Sequence, residues 1–158
     1  MRYAILLLIV ILLAGCSSDS DRRSDLPLQP QPPIDQGVTG TVAFWLGDFM
    51  PIEPSGQIQP VERTVLVYEP TTINDVVPGP STEGGFVDSI STQLVASTTS
   101  DADGQYAVEL PTGTYSVFVL ENGRLYANSF SNEYINPVMV DRGIVSQLDI
   151  QITYAATF

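Results

Sequence analysis

The chain has 158 residues, with 18 acidic side chains, six basic ones, no histidine and a single cysteine, Cys16. A net charge of −12 repels phosphate backbones and therefore excludes nucleic acid as a partner. Without histidine there is no Ser-His-Asp or Cys-His catalysis, a lone cysteine forms no internal disulfide, and no zinc site or other cofactor is expected.

The first residues form a targeting signal. An unbroken apolar run at residues 4–14 follows Arg2. It is shorter than the roughly 20 residues that span a bilayer, and its length is typical of a signal peptide. The run ends in Leu13, Ala14, Gly15 and Cys16, which resemble the lipobox of bacterial lipoproteins.

The lipobox resemblance implies that residues 1–15 are removed and that Cys16 is acylated, so that a lipid anchor attaches the protein to the membrane. The alternative is an ordinary secreted protein whose signal peptide happens to end at a free cysteine. Ser17 is similar to the residue found there in lipoproteins sorted to the outer membrane. The expected location is therefore a lipid-anchored, extracytoplasmic one, most simply the outer membrane, with the domain either periplasmic or surface-exposed.

Residues 16–36 contain the acylated cysteine and a predicted tether. Serine, aspartate and glutamine separate four prolines, a composition that builds no core and favours extended chain; the prolines are Pro27, Pro30, Pro32 and Pro33. From residue 37 the composition changes to β-forming residues, which indicates one domain over residues 37–158.

Strands are predicted by period-two alternation along this domain. The clearest pair is residues 105–110 and 114–119, joined at Pro111 and Gly113 as a tight turn, with one face of each strand on a core and the other towards water. Asn122 and Gly123 predict a type I′ hairpin leading into residues 124–130. Further strands are expected at residues 39–46, 61–69, 92–99, 138–140 and 144–154, and long loops at residues 48–60 and 70–91. The total is seven or eight strands, which indicates an all-β, antiparallel sandwich.

Three stretches resemble the carboxypeptidase regulatory-like domains: Gly40-Thr41-Val42, Val65-Leu66-Val67, and residues 101–119. The resemblance implies a Greek-key, transthyretin-like (prealbumin-like) sandwich. Such domains are accessory modules, so it also implies a non-enzymatic structural or protein-binding role at the cell envelope. The two long loops depart from the family pattern, in which these loops are usually shorter.

Four aromatic residues are candidates for contact with a surface protein or a glycan, because amphipathic rings in or near loops suit both ligands: Trp45, Phe49, Phe86 and Tyr126. The alternative is that these rings pack beneath the long loops.

Acidic residues offer two weaker hypotheses. Asp101 and Asp103, followed by Gly104, fit part of a calcium loop, but the position that needs a bidentate glutamate is Leu110. The alternative is a turn in which aspartate side chains accept hydrogen bonds from backbone N–H groups. A carboxylate hydrolase would need two acids in a cleft, and the candidates in or beside the long loops are Glu53, Glu62, Asp75, Glu83 and Asp88.

Overall fold

A computed structural model describes residues 34–52, 54–79 and 84–158. The predicted signal peptide, the lipobox with Cys16 and nearly all of the tether lie outside these residues, as do Glu53 and Glu83. The described residues belong to one compact unit, Pro32–Phe158. Within them, no helix is long and apolar enough to cross a membrane.

The unit is an all-β, sandwich-like fold. The described segments form fourteen strands and one 3₁₀ turn, Ile73–Asp75. The strands are β1 (Gly37–Asp48), β2 (Gln57–Pro60), β3 (Thr64–Tyr68), β4 (Val76–Pro78), β5 (Phe86–Ile90), β6 (Leu94–Thr99), β7 (Gln105–Glu109), β8 (Gly113–Glu121), β9 (Arg124–Tyr126), β10 (Phe130–Ser131), β11 (Tyr134–Ile135), β12 (Pro137–Val140), β13 (Val145–Gln147) and β14 (Ile150–Thr157).

The first sheet is built around β1. Along one edge of β1 lie β7 and then β2, both antiparallel to it. Along the other edge lie β13 and then β14, both parallel to it. Gly37 pairs with Val145 and Val42 with Ile150, so β13 and β14 keep one register and act as a single interrupted strand.

The second sheet is built around β8 and is antiparallel. Its order is β4-β5-β9-β8-β3-β6, and β12 pairs with the first half of β8 on the edge that β9 shares. Asn122 and Gly123 join β8 to β9 with φ angles of 52° and 76°. This confirms the predicted hairpin, because a type I′ turn needs positive φ at both central residues.

The core lies between the two sheets and confirms the predicted alternation. One face of β7 is buried through Tyr106 and Val108, and Leu110, which directly follows β7, is buried with them. One face of β8 is buried through Tyr115, Val117 and Val119. Val42, Val65 and Ile152 complete the contact between the sheets. Burial of these side chains is the main stabilising contribution to the fold.

The predicted direct pairing of the strands around residues 111–113 is wrong. β7 pairs with β1 in the first sheet, whereas β8 pairs with β3, β9 and β12 in the second. The turn therefore carries the chain from one sheet to the other. Alternation shows which side chains face the core, but two strands that share a core can belong to the same sheet or to opposing sheets.

The outer face of the second sheet is also covered, which corrects the expectation that Phe118 faces water. Phe118 is fully buried and packs against Val87, Ala127 and Ile135. Its ring meets that of Tyr68 edge-on, with centroids 5.7 Å apart. A second, smaller apolar layer therefore lies on this sheet.

Both predicted long loops contain regular structure. Residues 48–60 include β2, and residues 70–91 include the 3₁₀ turn, β4 and β5. Pro60 and Pro78 are the last residues of β2 and β4. Proline is tolerated at such positions on a sheet edge, so its presence did not exclude these strands.

Candidate functional site

The sandwich has two distinct ends. The chain enters the first sheet beside Gln36, whose amide donates to the Leu110 carbonyl (2.8 Å) and accepts from the Gly143 amide (2.8 Å). We call this the proximal end. The strands β1 and β14 run in parallel to the opposite, distal end. This end holds residues 48–52 and 54–56, the β8–β9 hairpin and Phe158.

Three aromatic rings cluster at the distal end. Trp45 and Phe49 have ring centroids 4.9 Å apart, and Phe158 lies 5.7 Å from Phe49 and 6.1 Å from Trp45. The ring of Phe49 lies against Gly56, where an added Cβ would be 2.5 Å from it. Phe158 remains 65 % exposed, so the cluster is packed on one side and open on the other.

Exposed aliphatic side chains lie on both faces of the first sheet at this end, since Ile58 pairs with Trp45 whereas Leu46 follows Trp45 on the opposite face. Ile52 is 84 % exposed, and three further residues of β1, β2 and the loop between them are also exposed, namely Leu46, Met50 and Ile58. We call these four residues together with Trp45, Phe49 and Phe158 the distal patch. A concentration of exposed apolar side chains typically marks an interaction surface.

A groove of about 400 Å³ adjoins the distal patch along β14. One wall consists of Thr153, Tyr154, Ala156 and Phe158; the other consists of Gly84, Gly85 and the segment from Tyr126 to Phe130. We call this the edge groove. Its volume lies within the range of about 300–1,000 Å³ that is typical of ligand sites.

Hydrogen bonds fix the side chains of the edge groove. The Tyr154 hydroxyl donates to Glu121 (3.0 Å) and accepts from the Asn122 amide (3.1 Å). Glu121 is buried and pairs with Arg63 at 2.5 Å. Burial and the bond to Glu121 raise the pKa of Tyr154. The ring of Tyr154 is therefore held in place by an ion pair whose carboxylate is buried.

Hydrogen bonds also join the two walls of the edge groove. The Tyr126 hydroxyl accepts from the Thr153 amide (3.0 Å), and the Asn128 amide donates to the Thr153 hydroxyl (2.7 Å). These bonds connect β14 of the first sheet with the end of β9 in the second sheet and with the segment that follows β9. The two walls are thus fixed relative to each other without filling the space between them.

The structure separates the four aromatic candidates into two pairs. Trp45 and Phe49 lie together in the distal patch. Phe86 and Tyr126 are only 6 % and 1 % exposed and pack with each other at 5.0 Å, so their rings offer little surface to a partner. Arg124 covers the ring of Phe86 at 4.6 Å.

Sequence reasoning missed Phe158, the most exposed ring of the described residues, as a site residue. The alternation of β14 continues to Thr157, so extending the last predicted strand beyond Tyr154 would have brought Phe158 to the end of β1. No sequence signal places Phe130 beside β14, because that proximity depends on how the sheets pack.

Asp101 and Asp103 form a turn. Oδ1 of Asp101 accepts from the backbone amides of Asp103 (3.0 Å) and Gln105 (2.8 Å), while the Gly104 amide donates to the Asp101 carbonyl (2.9 Å). This is the capped turn given as the alternative to calcium binding. Within residues 34–52, 54–79 and 84–158, no three potential metal ligands of the His, Cys, Asp and Glu types converge.

Two acids of the hydrolase hypothesis, Asp75 and Asp88, have structural partners. Asp75 closes a capping box with Thr72, and these hydrogen bonds lower the pKa of its carboxyl group. A general acid at neutral pH needs a raised pKa. Asp88 pairs with Arg124 at 3.0 Å.

No family model, no curated protein and no solved structure matches the chain. The resemblances to a lipobox and to a carboxypeptidase regulatory-like domain therefore stay predictions, and the function is argued from the distal patch and the edge groove.

Proposed function

We propose that the chain is a lipid-anchored, extracytoplasmic β-sandwich module with a non-enzymatic, protein-binding role at the cell envelope. The distal patch is its docking surface. The observation that supports this most directly is the concentration of exposed apolar side chains, with Ile52 and Phe158 the most open, at the end opposite the point where the chain enters.

The composition of the distal patch suits a protein partner. Trp45 and Phe49 are large rings in mutual contact, and aromatic residues dominate the binding energy of protein interfaces. Exposed aliphatic side chains such as Ile52 and Ile58 would be desolvated around these rings. Because the rings already pack on each other, little conformational entropy is lost when a partner binds.

The anchor is proposed at Cys16, followed by the proline-containing tether of residues 16–36. A chain leaving that tether joins the sandwich beside Gln36, at the proximal end. The distal patch would therefore point away from the membrane, towards the periplasm or the medium. An outer-membrane location is the corresponding proposal.

The finer fold assignment, a Greek-key sandwich of the prealbumin type, is part of the same proposal. The hydroxyl of Tyr115, near the start of β8, donates to the Pro111 carbonyl at 2.9 Å. A tyrosine that bonds back to the backbone a few residues upstream is a recurrent feature of Greek-key sandwiches. Here it fixes the turn that crosses between the two sheets.

The docking proposal is tested by photo-crosslinking in cells. A photoreactive amino acid replaces Ile52 in the distal patch or, as a matched control, Met139, which is 63 % exposed on β12 near the proximal end. We expect a discrete higher-mass adduct from position 52 that weakens in the Trp45→Ala background. Equal adducts from both positions, or none from position 52, would contradict the proposal.

The location is tested by protease treatment of intact cells with a lysed control. Loss of the domain from intact cells means that the distal patch faces outward and meets host or neighbouring-cell partners. Protection until lysis means a periplasmic domain with an envelope partner. Release of the protein into the medium without detergent would refute the lipid anchor.

Glycan binding in the edge groove is a second candidate. Phe130 and Tyr154 present partly exposed rings there, beside the Asn128 amide and the Thr153 hydroxyl. Rings combined with a few polar groups suit a saccharide. Titration calorimetry with a panel of cell-surface polysaccharides should detect heat that is lost in Phe130→Ala. No heat across the panel would remove this candidate.

A further inference from the structure

Among residues 34–52, 54–79 and 84–158, no strand pairs with the edge of β14 that faces the edge groove. The register between β1 and β14 shifts by one residue, since Phe44 pairs with Ile152 but Leu46 pairs with Ala155. A bulge of this kind reverses which residues direct their backbone groups towards the neighbouring strand. Two hydrogen bonds show in which direction the backbone amides and carbonyls of β14 point.

Before the bulge, the Thr153 amide points away from β1, because it donates to the Tyr126 hydroxyl across the groove (3.0 Å). After the bulge, the Thr157 carbonyl points towards β1, because it accepts from the Phe49 amide (2.8 Å). Backbone groups alternate along a strand. The amide and carbonyl of Ala156 therefore face away from β1, on the side of the groove.

The opposite wall leaves room for another backbone. Gly84 and Gly85 contribute no side chains to it. Among the described residues, nothing lies within 4 Å of a Cβ added at Gly84, whereas a Cβ added at Gly85 would meet the Tyr126 ring at 2.7 Å. Glycine in such a position permits close approach of a second chain. Those described residues that line the groove are uncharged, although the protein as a whole is strongly acidic.

The other sheet edges in the described segments are protected. β2 and β4 are short and end in Pro60 and Pro78. β6 lies against β7, and β12 lies against β13, with the Ser146 hydroxyl donating to the Met139 carbonyl. β14 has eight residues, none of which is charged or proline. The Thr153 amide on this edge is bonded to Tyr126, so the unprotected part lies after the bulge, where a free edge is a template for strand pairing.

We propose that the edge groove binds an extended, uncharged peptide segment of a partner protein, which adds as a strand to the free edge of β14 and pairs with the backbone of Ala156. Phe130, Tyr154 and Phe158 receive its alternate side chains. This inference rests on the proposed protein-binding function and specifies its mode as strand addition.

A single extended segment fits the groove better than a second copy of this chain. In a second copy, β14 is already paired on its other edge with β1. That neighbouring strand would occupy the space of the wall formed by Ala127, Asn128 and Phe130. A second copy also has the same net charge of −12, which opposes self-association. An uncharged segment avoids both conflicts.

The test uses the full-length chain in detergent and a phage library of random ten-residue peptides, from which the enriched peptides are synthesised. We expect proline-free peptides with alternating apolar residues. N-methylation along such a peptide should weaken binding at every second residue, because only alternate amides face β14. Hydrogen exchange at the Ala156 amide should slow by at least about tenfold in the complex.

Ala156→Pro removes the amide that faces the groove and should weaken peptide binding about tenfold, whereas Ala156→Ser keeps the amide and should stay within about twofold. The proposal would be overturned if the affinity of the enriched peptides changes neither in Ala156→Pro nor after N-methylation. The absence of any enriched peptide would also overturn it. Saccharide binding that leaves exchange at Ala156 unchanged would assign the groove to glycans instead.

The peptide-binding test and the photo-crosslinking test of the docking proposal can fail independently of each other. An adduct from position 52 without any peptide binding would refute strand addition alone. Peptide binding at β14 without an adduct from position 52 would move the docking surface from the distal patch to the edge groove.

Discussion

Replacing Phe118 with alanine tests whether the second sheet is covered on both faces. Phe118 is fully buried among Val87, Ile135 and the ring of Tyr68. Truncating a buried phenylalanine costs about 3–5 kcal/mol, because the transfer free energy of the ring is lost and a cavity remains. With a urea dependence of about 1–3 kcal/mol per molar, the midpoint of unfolding should fall by about 2 M.

Leu120 provides the matched control, because it lies two residues further along β8 on the same face but is 39 % exposed. Leu120→Ala should cost about 1 kcal/mol or less. Equilibrium urea unfolding followed by tryptophan fluorescence measures both variants. If Phe118→Ala costs no more than Leu120→Ala, the outer face of this sheet is open to water and the second apolar layer does not exist in solution.

Three further predictions concern single residues. Tyr106→Phe removes the hydrogen bond to the Leu148 carbonyl (2.6 Å) and should cost about 1 kcal/mol in urea unfolding at neutral pH. Burial raises the pKa of Tyr106 above its unfolded value of about 10. The contribution of Tyr106 to the free energy of unfolding is thus complete below that pH and is lost as the pH rises towards the folded-state pKa. Between neutral pH and pH 11, wild type should therefore lose more stability than Tyr106→Phe. Gly40→Ala places a Cβ 1.9 Å from the Leu148 carbonyl oxygen and should cost about 2 kcal/mol or more, seen as a lower melting temperature. Asn136→Ala removes the amide that donates to the Val117 carbonyl (2.9 Å) from a residue with φ of 40°, and should cost about 1–3 kcal/mol; a melting temperature equal to wild type would contradict this.

The sequence predicted the core faces well because burial on one face imposes period two on a strand. Tyr106, Val108 and Val117 follow that pattern and are buried. Asn122 and Gly123 also predicted their turn, since few residues adopt positive φ in succession. Both signals are local, so neighbouring residues are enough to read them.

The pairing partners of the strands could not be predicted from such signals. β7 pairs with β1, more than sixty residues earlier in the chain. Nothing in the alternation of residues 105–110 specifies that partner. The burial of Phe118 depends likewise on residues 127–135, which fold back over the second sheet. Tertiary packing therefore decides which of two apolar faces stays open.

Proline content was misleading for the same reason. It predicted irregular chain over residues 48–60 and 70–91, yet Pro60 and Pro78 occupy ends of edge strands. At an edge, the missing amide interrupts no ladder hydrogen bond. The two loops are therefore shorter than expected, and the candidate site combines the remaining loop after β1 with the end of the first sheet.

The parallel course of β1 and β14 explains why both proposed binding surfaces lie at the distal end. Twelve residues of β1, at about 3.3 Å each, cover about 40 Å. The last fully buried residues on these strands are Val42 and Ile152. Beyond them Tyr154 still packs against Phe86 and Tyr126 of the second sheet, but the second sheet covers this extension of the first sheet only in part. Side chains on this extension, such as Trp45 and Phe158, add little to the common core. They are therefore free to serve a partner, and the sandwich that holds them need not rearrange when the partner binds.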